Sequence, residues 1–87
     1  MSSLETPELH HDAEQTIVRL ANRIGEFFAA YPCHEEALEG VANHIHKFWE
    51  PRMRRRLYEY LDGPQGGAGL SELVRMAVTA QRDRLQP

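Results

Sequence analysis

His44-Ile45-His46-Lys47-Phe48-Trp49-Glu50-Pro51-Arg52-Met53-Arg54-Arg55-Arg56 is the stretch on which the reading of this chain turns. It carries the only tryptophan, two of the five histidines and four arginines, set around a proline. The residue before a proline is pushed out of the α region, and a proline inside a helix removes a hydrogen bond. One helix must therefore stop before Pro51. A second can start on it, because a proline at the first helical position loses nothing by lacking its N–H.

Upstream, Ala37, Leu38, Val41, Ala42, Ile45, Phe48 and Trp49 fall on one arc of about 140° at 100° per residue. That spacing predicts a helix over residues 35–49. Glu35, Glu36 and Glu39 occupy its first turns, and His44, His46 and Lys47 lie near its end, the arrangement that suits the helix dipole. Downstream, Met53, Leu57, Tyr60 and Leu61 make the apolar side of a helix over 51–61. Arg52, Arg55 and Arg56 point roughly the other way, with Arg54 between. Three readings stay open for these arginines: a solvated basic face, a surface for acidic groups of a protein partner, or a phosphate contact.

Moving outward, Pro32 ends an earlier helix predicted over 13–30. Ala13, Ile17, Leu20, Ala21, Ile24, Phe27, Phe28 and Tyr31 form its apolar face, with Arg19, Arg23 and Glu26 opposite. Asp12 is the expected N-cap. Val18, Asn22, Gly25 and Ala29 form a second strip, small enough for another helix to approach closely. Residues 1–12 lack periodicity and read as a flexible arm. Beyond the third helix, Gly63, Gly66, Gly67 and Gly69 mark a loop. Ser71 is the expected N-cap of a fourth helix over 72–82, whose apolar side is Leu73, Val74, Ala77 and Val78. Residues 83–87 are expected to fray. The fold class is therefore all-α: a compact four-helix domain, residues 13–82, with a flexible N-terminal arm.

Eighty-seven residues make one domain. Apolar residues at 41% and charged residues at 26% are ordinary globular composition, which argues against wholesale disorder. A net charge of −3 argues against general nucleic-acid binding. A single cysteine, Cys33, excludes an internal disulfide and suits a reducing cytosol. No apolar run is long enough to cross a membrane and no secretory leader is visible, so a cytoplasmic location is expected.

Enzymatic chemistry needs convergent groups, and none stand out. No Cys-x-x-Cys, dinucleotide fingerprint or nucleophile–base set is present. His44 and His46 are two apart on a helix and flank the apolar arc, so they do not chelate one metal. No metal site is expected. Gly66, Gly67 and Gly69, with Arg52 and Arg55, are a weak candidate phosphate or nucleotide contact. The loop lacks the Lys-Ser/Thr of a P-loop and no strand precedes it. His44, Lys47, Phe48, Trp49, Arg52, Arg54, Arg55 and Arg56 are the candidate partner-binding residues, since Trp and Arg are enriched at interface hot spots. The competing reading places Trp49 wholly in the core.

Three motifs carry a family resemblance. Ala42-Asn43-His44-Ile45-His46-Lys47-Phe48-Trp49-Glu50-Pro51-Arg52-Met53-Arg54 resembles the delta subunit of NAD-dependent formate dehydrogenase. Ala21-Asn22-Arg23-Ile24-Gly25-Glu26-Phe27-Phe28 resembles an upstream segment of that family. Gly66-Gly67-Ala68-Gly69-Leu70-Ser71-Glu72-Leu73-Val74 resembles a later one, with Glu72 where the family pattern has proline. The resemblance spans residues 16–78. It implies a non-catalytic accessory subunit that docks on the catalytic alpha subunit of a cytosolic formate dehydrogenase and supports its assembly or stability. It further implies a complex carrying bis-molybdopterin guanine dinucleotide with Mo or W, iron–sulfur clusters, FMN and NAD, all on other subunits. The alternative is a general helical adaptor or assembly chaperone, with contact to the guanine-nucleotide part of a cofactor as an added possibility.

Overall fold

A computed structural model describes the backbone from Ser2 to Pro87 and the side chains from Ala13 onward. The 1–12 arm and the Asp12 cap expected above lie outside the described side chains. The helices are α1 (Ser2–Ala29), α2 (His34–Phe48), α3 (Pro51–Asp62), α4 (Glu72–Ala80) and the short α5 (Arg82–Leu85). No strand occurs among the described residues. The all-α class and the four main helices are as expected, except that the backbone of α1 is helical from Ser2 rather than from about Ala13, which places Asp12 inside the helix instead of at its cap.

The joint forms as its residues dictate. Trp49, the C-cap of α2, has extended backbone (φ −94°, ψ 128°), and so does Glu50 before the proline (φ −63°, ψ 156°). The Trp49 N–H still donates to the Ile45 carbonyl at 3.0 Å. Pro51 then opens α3. Arg54 locks the bend: its Nε donates to the Trp49 carbonyl at 3.2 Å and its Nη1 to the Leu85 carbonyl at 3.0 Å.

One core runs through the chain. It is built from Ile17, Ala21 and Ile24 of α1, Val41, Ala42 and Ile45 of α2, Trp49, Leu57 and Tyr58, Val74, Ala77 and Val78 of α4, and Leu85. α1 packs on α2, α3 and α4, and α2 packs on α4. The strip of small residues on α1 does allow a close approach. A Cβ on Gly25 would sit 2.7 Å from Val74 Cγ2 and 3.0 Å from Ser71 Oγ. Asn22 of the same strip fastens the glycine loop, donating to the Gly69 carbonyl and accepting from the Ser71 N–H, both at 2.8 Å. Ser71 caps α4 through a bond from the Val74 N–H.

The C-terminus departs from expectation. The fourth helix stops at Ala80, and the residues expected to fray turn back as α5 with Leu85 fully buried. Arg82 pairs with Asp62 at 2.7 Å, and Arg84 pairs with Glu39 at 3.2 Å and bonds Asn43. Tyr58, absent from the predicted apolar face of α3, is also buried. Its hydroxyl donates to the Val78 carbonyl at 2.7 Å. That bond satisfies a carbonyl in the last turn of α4, where intrahelical donors run out.

Candidate partner-docking surface

Phe27 and Phe28 are consecutive, so on a helix they point about 100° apart and cannot both face the core. Phe28 packs inward across the ring against Gly40, where any side chain would clash. Phe27 is left 66% exposed. The same angular limit acts at the end of α2. Ile45 occupies the core, the extended backbone at Trp49 turns its ring inward to 7% exposure, and Phe48 is left 65% exposed.

These rings form a continuous row along α1 and α2. The Phe27 and Phe28 centroids are 4.9 Å apart, and Phe28 and Tyr31 are 5.2 Å apart. Phe28 lies 6.5 Å from the His44 ring, which lies 4.8 Å from Phe48. The Lys47 ammonium sits 5.9 Å from the Phe48 centroid. Monomeric proteins seldom hold several large aromatic side chains exposed together, and such patches mark interaction sites.

Of the candidate residues, His44, Lys47 and Phe48 thus come together on one surface. Trp49 does not join them, because it belongs to the core. Arg54 does not either, since its guanidinium is spent on the Trp49 and Leu85 carbonyls. Arg52, Arg55 and Arg56 are exposed and line a separate concavity with Glu14, Ile17, Glu59 and Tyr60.

The phosphate candidates are not assembled into one site. The Gly66 N–H donates to the Gly63 carbonyl at 2.9 Å and the Gly67 N–H to the Tyr60 carbonyl at 3.1 Å. The Gly66 and Gly67 carbonyls accept from Arg75 at 2.7 and 2.9 Å. Gly67 is buried with φ 75°, a conformation that favours glycine, so the loop folds on itself and the Gly66 and Gly67 amides are spent within it. Arg52 and Arg55 sit in the first turns of α3, whereas the loop follows its other end. Gly69, also at positive φ, offers its carbonyl to Asn22.

Phe27, Phe28 and Tyr31 belong to this surface although their spacing assigns them to the apolar face of the first helix. The available signal was the Phe27-Phe28 pair, too wide for one buried stripe. Among the described residues no group of three or more His, Cys, Asp or Glu side chains is placed to hold a metal. Among them, too, no helix is long and apolar enough to cross a membrane.

The chain was compared with known proteins. No curated protein and no solved structure matches it. A protein-family model does, over residues 16–78, a span that contains the ring row, the proline joint and the glycine loop. By that match, the chain belongs to the FdsD family, the NADH-dependent formate dehydrogenase delta subunits.

Proposed function

We propose that this chain is a non-catalytic accessory subunit of a cytoplasmic NAD-dependent formate dehydrogenase. It docks on the catalytic molybdopterin-bearing subunit and supports assembly or stability of the active complex. The observation that carries this reading is the exposed ring row of Phe27, Tyr31 and Phe48, on a chain whose family consists of formate dehydrogenase subunits. Aromatic anchors of this kind supply most of the energy at interfaces. The exposed Arg52, Arg55 and Arg56 add a cationic surface for acidic groups of the partner. Formate oxidation, the metal centre, the iron–sulfur clusters, FMN and the NAD site are assigned to the other subunits.

The test is co-expression of the tagged chain with the other subunits, then purification and formate-dependent NAD reduction. The wild-type chain is expected to bring down the catalytic subunit and raise the yield of active complex. Phe27→Asp with Phe48→Asp is expected to abolish both while leaving the helical spectrum of the free chain intact. A full yield of stable, active complex without the chain would overturn the assembly role. Retention of the double variant in the complex would overturn docking through the ring row.

A further inference from the structure

Along the ring row, α1 and α2 border an open groove of about 430 Å³ lined by Arg23, Ile24, Phe27, Phe28 and His44. Its walls are apolar, and its polar groups are a guanidinium and an imidazole. No carboxylate lines it. Lys47 extends the same edge over Phe48. The ion pairs among the described residues are Arg82–Asp62 and Arg84–Glu39, so neither Arg23 nor Lys47 is neutralised by one. The groove is therefore apolar inside and cationic at its rim, on a chain whose net charge is −3.

We propose that this groove seats one apolar side chain of the catalytic subunit, presented on a segment that carries Asp or Glu beside it. The inference rests on the accessory-subunit reading and names the partner chemistry that reading leaves open. The apolar side chain fills the space between Ile24 and the two phenylalanines, where its burial strengthens the flanking charge contacts by excluding water. The carboxylates pair with Arg23, which can grip one with two parallel N–H bonds, and with Lys47. A second copy of the chain fits poorly. A two-fold contact through this patch would set Arg23, His44 and Lys47 of one copy against the same groups of the other.

The experiment places a photo-crosslinking phenylalanine analogue at position 27 of the full chain and irradiates the assembled complex, with adducts mapped by mass spectrometry. Phe27 is two-thirds exposed, so the analogue leaves the core undisturbed. Adducts are expected on one segment of the catalytic subunit that has an apolar residue flanked by Asp or Glu. Arg23→Glu is expected to weaken docking about tenfold or more, and changing the contacted carboxylate to Lys should restore it. Adducts on a second copy of the chain, adducts on a segment without carboxylates, or an assembled complex with no adduct at position 27 would each overturn the inference. In the last two cases the chain still docks and the accessory role stands. Failure of the chain to assemble with the catalytic subunit at all would remove both.

Discussion

Phe48 and Trp49 are neighbours in sequence with opposite surroundings, and truncating each to alanine should separate stability from docking. Trp49 is 7% exposed, so nearly all of its side chain is withdrawn from water. A ring that buries about 200 Å² at about 25 cal/mol per Å² contributes about 5 kcal/mol, an upper bound set by the unfolded reference. Cavity-forming aromatic truncations cost about 3–5 kcal/mol. The backbone bonds of Trp49 to Ile45 and Arg54 survive the change, so packing accounts for the loss. A chain of this length has about 4–13 kcal/mol of total stability. Trp49→Ala should therefore remove between a quarter and all of it. Phe48 is 65% exposed, and its buried third is worth only about 0.5–1 kcal/mol in the free chain. Its loss should instead weaken docking by about 2 kcal/mol or more. Urea unfolding of the isolated chain, followed by far-UV circular dichroism, reads the first quantity. Fluorescence is unsuitable because Trp49 is the only tryptophan. Titration with the catalytic subunit reads the second. A wild-type unfolding midpoint for Trp49→Ala would refute its place in the core, and wild-type affinity for Phe48→Ala would remove it from the docking surface.

Tyr58→Phe leaves the Val78 carbonyl without its donor inside the core and should cost about 1–3 kcal/mol. Thermal melting should show it as a drop of about 4–8 °C per kcal/mol; an unchanged melting temperature would mean that the carbonyl finds another partner. Leu85→Ala should destabilise by about 2–5 kcal/mol in urea, whereas a frayed terminus would tolerate it. The Arg82 guanidinium bonded to Asp62 holds its carboxyl below the usual range, so that pair's contribution is present above the unfolded value near 3.8 and is lost as the pH falls through the lower folded value. Asp62→Asn should flatten this acid limb of a stability–pH curve, and an unaltered limb would show that the pair contributes nothing. Burial pushes the Tyr58 hydroxyl up to about 12. Stability should be full below pH 10, the unfolded value, and decline from there towards 12, a decline that Tyr58→Phe should reduce.

Local chemistry wrote the helix boundaries into the chain. Pro32 and Pro51 restrict the residues before them, Ser71 supplies a capping oxygen, and the run from Gly63 to Gly69 contains positions at positive φ. These effects act over three or four residues and need no knowledge of the rest of the molecule. Periodicity likewise placed Ile17, Ala21, Ile24, Val41, Ile45, Leu57 and Val74 inside. The small strip around Gly25 and Asn22 was legible for the same reason, since only a close neighbour makes use of small residues.

Tertiary structure decided which side chains win when an apolar arc is wider than the surface that covers it. Phe27 and Phe48 lose that competition to Phe28 and Trp49, and the outcome depends on where Gly40 opens space and where the backbone leaves the helix at Trp49. Arg54 looked equivalent to Arg52, Arg55 and Arg56 in the sequence. It differs because the joint and the returning C-terminus bring the Trp49 and Leu85 carbonyls, 36 residues apart in number, within reach of one guanidinium. Leu85 is buried for a related reason. Five polar residues surround it in the 81–87 tail, so no amphipathic stripe announces it, and only the cleft left by α2 and α4 gives it a place. Sequence by itself determined four helices and the ends of most of them. Only the folding of those helices on one another separated core aromatics from exposed ones, because that distinction is a property of the neighbouring surface rather than of the residue.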